Sequence, residues 1–313
     1  MTGSVAFDTL MRFPGRFGDH ILADRVDDIN VSFLVDDLVR RRGGTAANVA
    51  LTLALLGERP ALCAAVGTDF DAAAADLAGL GVDITPCLRL EAVPTASCYI
   101  TTDVAGRQIT AFHPGAMAHA AAIDLRSVVD VDTVVVTPDA PEAMTVHVAQ
   151  AAALGARLVF APAQQLPALD DATLRSGIEA AWLVAGNAYE WGLLERRVGV
   201  TPATVAAAGA LAAVTRGADG ATLHRDATVE TIPAAPPDAM VDPTGGGDAW
   251  LAGLIAALRR GHDLAVAGRV AALAATFCIE QPGPQQHRYT DAGFRARWAA
   301  VHGRPLPEVP TPV

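Results

Sequence analysis

Met240-Val-Asp-Pro-Thr-Gly-Gly-Gly-Asp-Ala-Trp-Leu-Ala-Gly-Leu-Ile-Ala-Ala-Leu258 joins an extended lead-in to three consecutive glycines, an aspartate and an apolar helical pattern. Trp250, Leu251, Leu254, Ile255 and Leu258 recur at near-helical spacing, so one face of the helix is buried. Gly245, Gly246 and Gly247 then lie at or just before a helix N-terminus. The first N–H groups of a helix lack internal partners, and the dipole there favours negative charge. Three residues without Cβ let a phosphate approach those groups closely. Asp248 stands at the edge of this nest. It is either a first-turn acid that complements the dipole, worth roughly 0.3–1 kcal/mol, or a general base. As a base it would take the proton of a hydroxyl while the N–H groups hold the phosphoryl group under attack.

Asp242-Pro-Thr-Gly-Gly-Gly-Asp248 resembles the Asp-Thr-x-Gly-Ala-Gly-Asp signature of the ribokinase-like (PfkB) sugar and nucleoside kinases. The resemblance implies that Gly245, Gly246 and Gly247 form an anion hole and that Asp248 is the catalytic base. Gly246 replaces the usual alanine, a neutral change where the backbone does the binding. The resemblance also implies an α/β, three-layer ribokinase-like fold. Residues 1–313 would form one catalytic domain with a mainly parallel central sheet flanked by helices. A small β lid would come from residues 9–42 and 92–113.

Composition agrees with one large α/β domain. Of 313 residues, 51% are hydrophobic and 18% charged, which provides a sizeable core and excludes global disorder. Net charge is −11, with a pI near 5.1, which argues against nucleic-acid binding. The chain contains no lysine, so a P-loop lysine and a Schiff-base lysine are excluded. Phosphoryl transfer must use backbone amides, arginine and metal. Cys63, Cys87, Cys98 and Cys278 form no Cys-x-x-Cys pair and read as buried thiols. No signal-peptide pattern is present, and no apolar run reaches membrane-spanning length. A soluble, cytoplasmic protein is expected.

Thr2–Phe7 reads as a strand ending at Asp8, and Ile29–Phe33 alternates like a half-exposed strand. A helix through Val49, Leu53 and Leu56 stops at Gly57, and Ala61–Val66 reads as a strand. Thr95–Thr101 and Gln108–Phe112 read as two lid strands. Strands at Thr133–Thr137, Arg157–Phe160 and Ala181–Ala185 alternate with helices at Pro141–Leu154, Asp171–Ile178 and Glu190–Arg197. A helix at Thr204–Ala212, a short strand at Ala213–Thr215 and a hairpin of Thr222–His224 with Thr228–Ile232 follow. Such alternation indicates a parallel, helix-flanked sheet with ligands at the carboxyl ends of its strands.

Gly43-Gly44-x-x-x-Asn48 is either a loop-to-helix turn with an amide near the cap or, as the family resemblance implies, a sugar site. There Gly44 would let the sugar approach, and Asn48 would bond a ribose hydroxyl. Ser4 and Asp8 match substrate positions, and the two oxygens of Asp8 suit a cis-diol; an Asx-turn is the alternative for Asp8. Asn187-Ala-Tyr-Glu190 matches the family's Asn-x-x-Glu, in which the glutamate organises Mg²⁺ through water and the asparagine meets nucleotide phosphates. By itself it is a helix cap. Thr215-Arg-Gly217-Ala-Asp-Gly220 matches the nucleotide-contacting Thr-x-Gly-x-x-Gly, and by itself it is a hairpin turn. The four motifs occur in family order.

Met11-Arg-Phe-Pro-Gly-Arg-Phe17, Ser32-Phe-Leu-Val-Asp-Asp-Leu38, Phe112-His-Pro-Gly-Ala-Met117 and Asn187-Ala-Tyr-Glu-Trp191 are similar to the actinobacterial type of adenosine kinase. That resemblance implies ATP-dependent phosphorylation of the adenosine 5′-hydroxyl in purine salvage. Phe112 would stack on the base, unless it packs in the core, and Gln164 and Gln165 would sit near base or ribose. Cys98 stands where a second aromatic wall is expected, and Phe160-Ala-Pro-Ala-Gln164 lacks the expected Asp and Ser. A ribokinase- or fructokinase-like sugar kinase and a nucleoside-binding protein without turnover stay open. Family resemblance further implies Mg²⁺, a monovalent cation (K⁺) near Asp242, and a lid-mediated homodimer.

Overall fold

The structure is a computed structural model that describes residues 1–21 and 30–308. The chain begins with strands β1 (Ala6–Arg12) and β2 (Asp37–Gly43), helix α1 (Thr45–Leu55), strand β3 (Ala65–Val66), helix α2 (Asp71–Gly79) and strand β4 (Leu88–Arg89). Strands β5 (Ala96–Thr102), β6 (Gln108–His113) and β7 (Thr133–Val136) precede helix α3 (Pro141–Ala153), strand β8 (Arg157–Phe160) and helix α4 (Asp171–Ala180). Then come β9 (Ala181–Asn187), α5 (Ala188–Val198), α6 (Pro202–Ala207), β10 (Leu211–Thr215), β11 (Ala221–Arg225) and β12 (Thr228–Ile232). Helices α7 (Gly246–Arg259), α8 (Leu264–Ile279) and α9 (Asp291–His302) close the chain.

The large sheet has the order β12-β11-β10-β9-β8-β7, with β7 to β10 parallel and the β11–β12 hairpin antiparallel at one edge. Period-2 alternation sends its side chains into two different cores. Val135, Val159, Leu183 and Ala213 meet α1, α7 and α8 on one side. Val134, Val136, Leu158, Phe160 and Val214 meet residues of α3, α4 and α5 on the other. The expected helix–sheet–helix architecture is therefore present. Close packing of α7 on α8 depends on Gly253, whose Cβ would lie 2.7 Å from Ala271 Cα.

The second sheet, β2-β1-β5-β6, is built from the segments expected to form the lid. β1 does not end at Asp8. It continues to Arg12, because Asp8–Arg12 pairs with β2 on one side and with β5 on the other. Residue 2 instead bridges Cys63 and Val136 and so belongs to the large sheet. The expected strand at residues 29–33 is displaced to Asp37–Gly43; Ile29 lies outside the described residues. Phe33 is drawn from a strand by packing with Phe13, Phe17 and His20. The β5–β6 turn is tied to this cluster by Asp103, which accepts from the N–H groups of Phe17, Ala105 and Arg107 at 2.9–3.1 Å. The helix expected at Thr204–Ala212 stops at Ala207, because Gly209 turns left-handed (φ 90°). The apolar run beyond it enters the sheet as β10 beside β9. All four cysteines are free. Among the described residues no helix is long and apolar enough to cross a membrane.

Candidate active site

The glycine run opens α7. Gly245 occupies the N-cap in the left-handed region (φ 79°), and a Cβ there would lie 2.3 Å from Pro284 Cβ. Gly247 faces open space: no atom lies within 4 Å of its would-be Cβ. Gly246 N–H bonds the carbonyl of Pro243, and Ala249 N–H bonds that of Gly245. The N–H groups of Gly247 and Asp248 make no backbone bond among the described residues. Left free where the helix dipole is positive, they make a cradle that could receive an anion.

Asp248 is half-buried beside that cradle. Asn48, buried on α1, donates from Nδ2 to Asp248 Oδ2 at 2.7 Å. Asn48 Oδ1 in turn accepts from Gln285 Nε2 at 2.9 Å, and the same nitrogen donates to the carbonyl of Gly43 at 3.1 Å. Burial raises the Asp248 carboxyl to about 6, with the Asn48 N–H pulling it down and the charge of Glu190 adding to the rise. A carboxylate so tuned suits proton abstraction near neutral pH.

Asp8 stands on the same lid face as Arg41 and Cys98, its cross-strand neighbours, and Phe112 follows Cys98 in register. Its carboxyl is raised by burial, against the opposing pull of Arg41. A Cβ on Gly43 would fall 2.6 Å from Asp8 Oδ2. Asp8 thus lies against the residue whose carbonyl anchors the Gln285–Asn48–Asp248 chain. Arg41 pairs with Asp242, just ahead of the glycines, so this lid face turns toward α7. Phe112 is 51% exposed and is not a core residue.

Ser4 and Gly44 lie beneath the site. Ser4 Oγ accepts from Thr45 N–H at 3.1 Å and so caps α1. Gly44 has φ 91°, and its Cβ would meet Ser4 O at 2.5 Å. Together they seat α1 on the start of β1 and so set the position of Asn48. Gln165 donates its amide to the carbonyl of Asp139, whereas Gln164 is exposed. Asp139 is buried, with Oδ1 accepting from Ala140 N–H at 2.8 Å and Oδ2 unpaired; burial raises its carboxyl to about 7.

Asn187 and Glu190 form a capping box on α5. Asn187 Oδ1 accepts from Glu190 N–H at 2.9 Å, and the Glu190 carboxylate accepts from Asn187 N–H and Nδ2 at 2.8 Å. Thr215 is the register partner of Asn187 at the carboxyl ends of β10 and β9. Gly217 (φ 58°) is open, and Gly220 is required by the turn, where a Cβ would lie 2.1 Å from Ile232 O. Among the described residues no group of three His, Cys, Asp or Glu side chains could hold a metal directly. The Glu190 carboxylate retains acceptor capacity and its charge reaches Asp248, so the donor set fits Mg²⁺ held through water. K⁺ fits poorly at Asp242, whose charge Arg41 already meets and whose Oδ1 accepts from Thr244 N–H at 2.9 Å.

Comparison with known proteins identifies the family. The model of the pfkB family of carbohydrate kinases matches residues 16–290. The chain belongs to that family. It is 30% identical to a nucleoside kinase of Methanothermobacter thermautotrophicus, over 95% of each chain. It is also similar to the structure of a Burkholderia thailandensis nucleoside kinase in complex with inosine, at 36% identity and TM-score 0.87 over 97% of this chain and 98% of that one. A ribokinase of Thermotoga maritima, 20% identical with TM-score 0.76 over 95% of this chain and 97% of that one, shares the fold. In this pfkB-family kinase, sequence motifs alone do not point to Gln285, Arg41 or Asp139. Gln285 and Arg41 lie outside the glycine motifs, and only the folded register brings them to Asn48 and Asp242.

Proposed function

We propose that this kinase transfers the γ-phosphoryl group of ATP to the 5′-hydroxyl of a purine ribonucleoside, giving AMP from adenosine. The observation that carries the reading is the Asp248 carboxylate, raised to about 6, at the mouth of a glycine-built cradle and bonded to Asn48. Asp248 takes the hydroxyl proton as the oxygen attacks. The N–H groups of Gly247 and Asp248 stabilise charge on the transferred group. Asp8 and Asn48 hold the ribose so that the hydroxyl is in line. Asn187, Thr215 and Gly217 border the ATP side, and Glu190 would hold Mg²⁺ through water, where the ion neutralises phosphate charge. Phe112 offers a ring to a base from an exposed position opposite Cys98.

A purine nucleoside is favoured over a free sugar by the exposed Phe112 ring and by the similarity to nucleoside kinases. The amide of Gln164 presents both a donor and an acceptor, so either a 6-amino or a 6-oxo purine is matched. Adenosine and inosine are both expected substrates. A cytoplasmic location accords with ATP as co-substrate.

Purified protein with ATP and Mg²⁺ should be assayed against adenosine, inosine, guanosine, ribose and fructose. Purine nucleosides should give the highest kcat/KM, and preference for a free sugar overturns the assignment. Asp248→Asn should lower kcat by about 10³-fold while nucleoside binding persists. Survival of turnover within a few-fold of wild type rejects Asp248 as the base.

A further inference from the structure

The segment Pro284–His287, after α8, runs along α1. Gln285 reaches Asn48, and two residues on, His287 Nε2 meets Thr52 Oγ1 at 3.0 Å, one helical turn beyond Asn48. Gln285 is 2% exposed and Asn48 5%, so bulk water does not reach this contact. The carbonyl of Gly43 is an acceptor in any state. It therefore fixes which end of the Gln285 amide faces it: the nitrogen. Both Nε2 protons are then used, one on Gly43 O and one on Asn48 Oδ1. Asn48 must turn its oxygen to Gln285 and its nitrogen to Asp248.

We propose that Gln285 is a positioning residue for phosphoryl transfer, setting the polarity of the Asn48 amide so that Asp248 faces an N–H and never a C=O. The inference rests on the kinase reading above. A reversed Asn48 amide would place two acceptors against each other, which is tolerable only if Asp248 is protonated and therefore useless as a base. With the N–H in place, Asp248 Oδ2 is occupied and Oδ1 makes no protein hydrogen bond among the described residues, leaving it for the substrate hydroxyl. Gln285 touches no reacting atom, and its effect passes through Asn48.

The test uses two variants of the full chain. Gln285→Met keeps the shape and removes the donors. Gln285→Glu reverses the polarity, because a carboxylate accepts from Asn48 Nδ2. With adenosine and inosine as probes, kcat should fall about tenfold in Gln285→Met and further in Gln285→Glu, and any rise in nucleoside KM, through the Asn48 contact to ribose, should be smaller than the fall in kcat. Selective ¹⁵N-asparagine labelling reads Asn48 directly, its signal identified by loss in Asn48→Ser. In wild type one Nδ2 proton should be downfield and slow to exchange; in Gln285→Met it should lose these properties, and in Gln285→Glu its shift should move as the bond passes from Asp248 to the introduced carboxylate. The inference is overturned by a kcat per folded molecule within about twofold of wild type in both variants together with an unmoved Asn48 signal. The NMR arm needs no turnover. Wild type inactive on every nucleoside would therefore defeat the kinase reading, while the Asn48 signal would still decide the polarity assignment.

Discussion

Asn48, on the first turn of α1, donates to Asp248, on the first turn of α7, across 2.7 Å. Two helices that begin 201 residues apart in sequence thus bring their amino ends to one point. The bond sets a pH dependence. Burial raises Asp248 to about 6, and the Asn48 N–H holds it below where burial alone would put it. As the proposed base Asp248 must be deprotonated, so kcat/KM should be flat above neutrality and fall tenfold per pH unit below about 6. Asn48→Leu removes the N–H and should move this acid limb upward by about one unit. Initial rates from pH 5 to 8 check both curves. Because its charge is disfavoured in the fold, Asp248→Asn should leave thermal stability unchanged or higher.

Asp139 should control stability rather than rate. Its carboxyl, raised by burial to about 7 from an ordinary 3.8, has one oxygen without a partner. Below pH 4 both folded and unfolded chains hold the proton, and the full stability is present. As pH rises through 4 to 7 the unfolded chain ionises first, so stability is lost until the folded carboxyl ionises too. Asp139→Asn should remove this loss, worth on the order of 3 kcal/mol at pH 8 and little at pH 4. Melting temperatures of the two proteins at pH 4.5 and pH 8 measure the difference directly.

Arg41 joins the lid to the loop ahead of the anion cradle through Asp242. Its guanidinium also passes beside Gly283, whose Cβ would sit 3.0 Å from Arg41 Cδ. The positive charge is supplied by the chain itself. Turnover should therefore be the same in K⁺ and in tetramethylammonium. Arg41→Ala should lower nucleoside kcat/KM by about tenfold, consistent with loss of one charge-assisted contact. Equal activity of Arg41→Ala and wild type would show that the pair does not position the lid.

The legible parts of the fold were those written in local pattern. The glycines of α7, the capping box at Asn187–Glu190 and the β/α alternation from Thr133 to Asn187 all depend on near neighbours, and the structure carries them at the expected places. In the second sheet tertiary packing overrides alternation: Phe33 joins an aromatic cluster, and Asp37–Gly43, with three consecutive arginines, forms the strand because β1 offers it an edge. The run after Thr204 has a helical pattern because alanine suits a helix wherever nothing stops it, and Gly209 stops it. Gln285 was invisible for a different reason. Its hydrogen bonds span more than 230 residues, and no spacing rule relates it to Asn48.

On the proposed reading, Phe112 separates nucleoside recognition from sugar recognition. It extends from β6 on the same lid face as Asp8, across Cys98, and half of its surface is open. A ring in the core would be covered, and a ring that meets only a sugar would gain little from its flat face. Phe112→Ala should therefore raise KM for adenosine and inosine about tenfold, which corresponds to about 1.4 kcal/mol of stacking. It should leave kcat and the melting temperature near wild type, because the ring touches neither Asp248 nor the core. Cys98→Phe, which adds a second ring beside the first, should lower the same KM. Steady-state kinetics on both variants with adenosine and inosine decide it: an unchanged nucleoside KM in Phe112→Ala would remove the lid from base recognition.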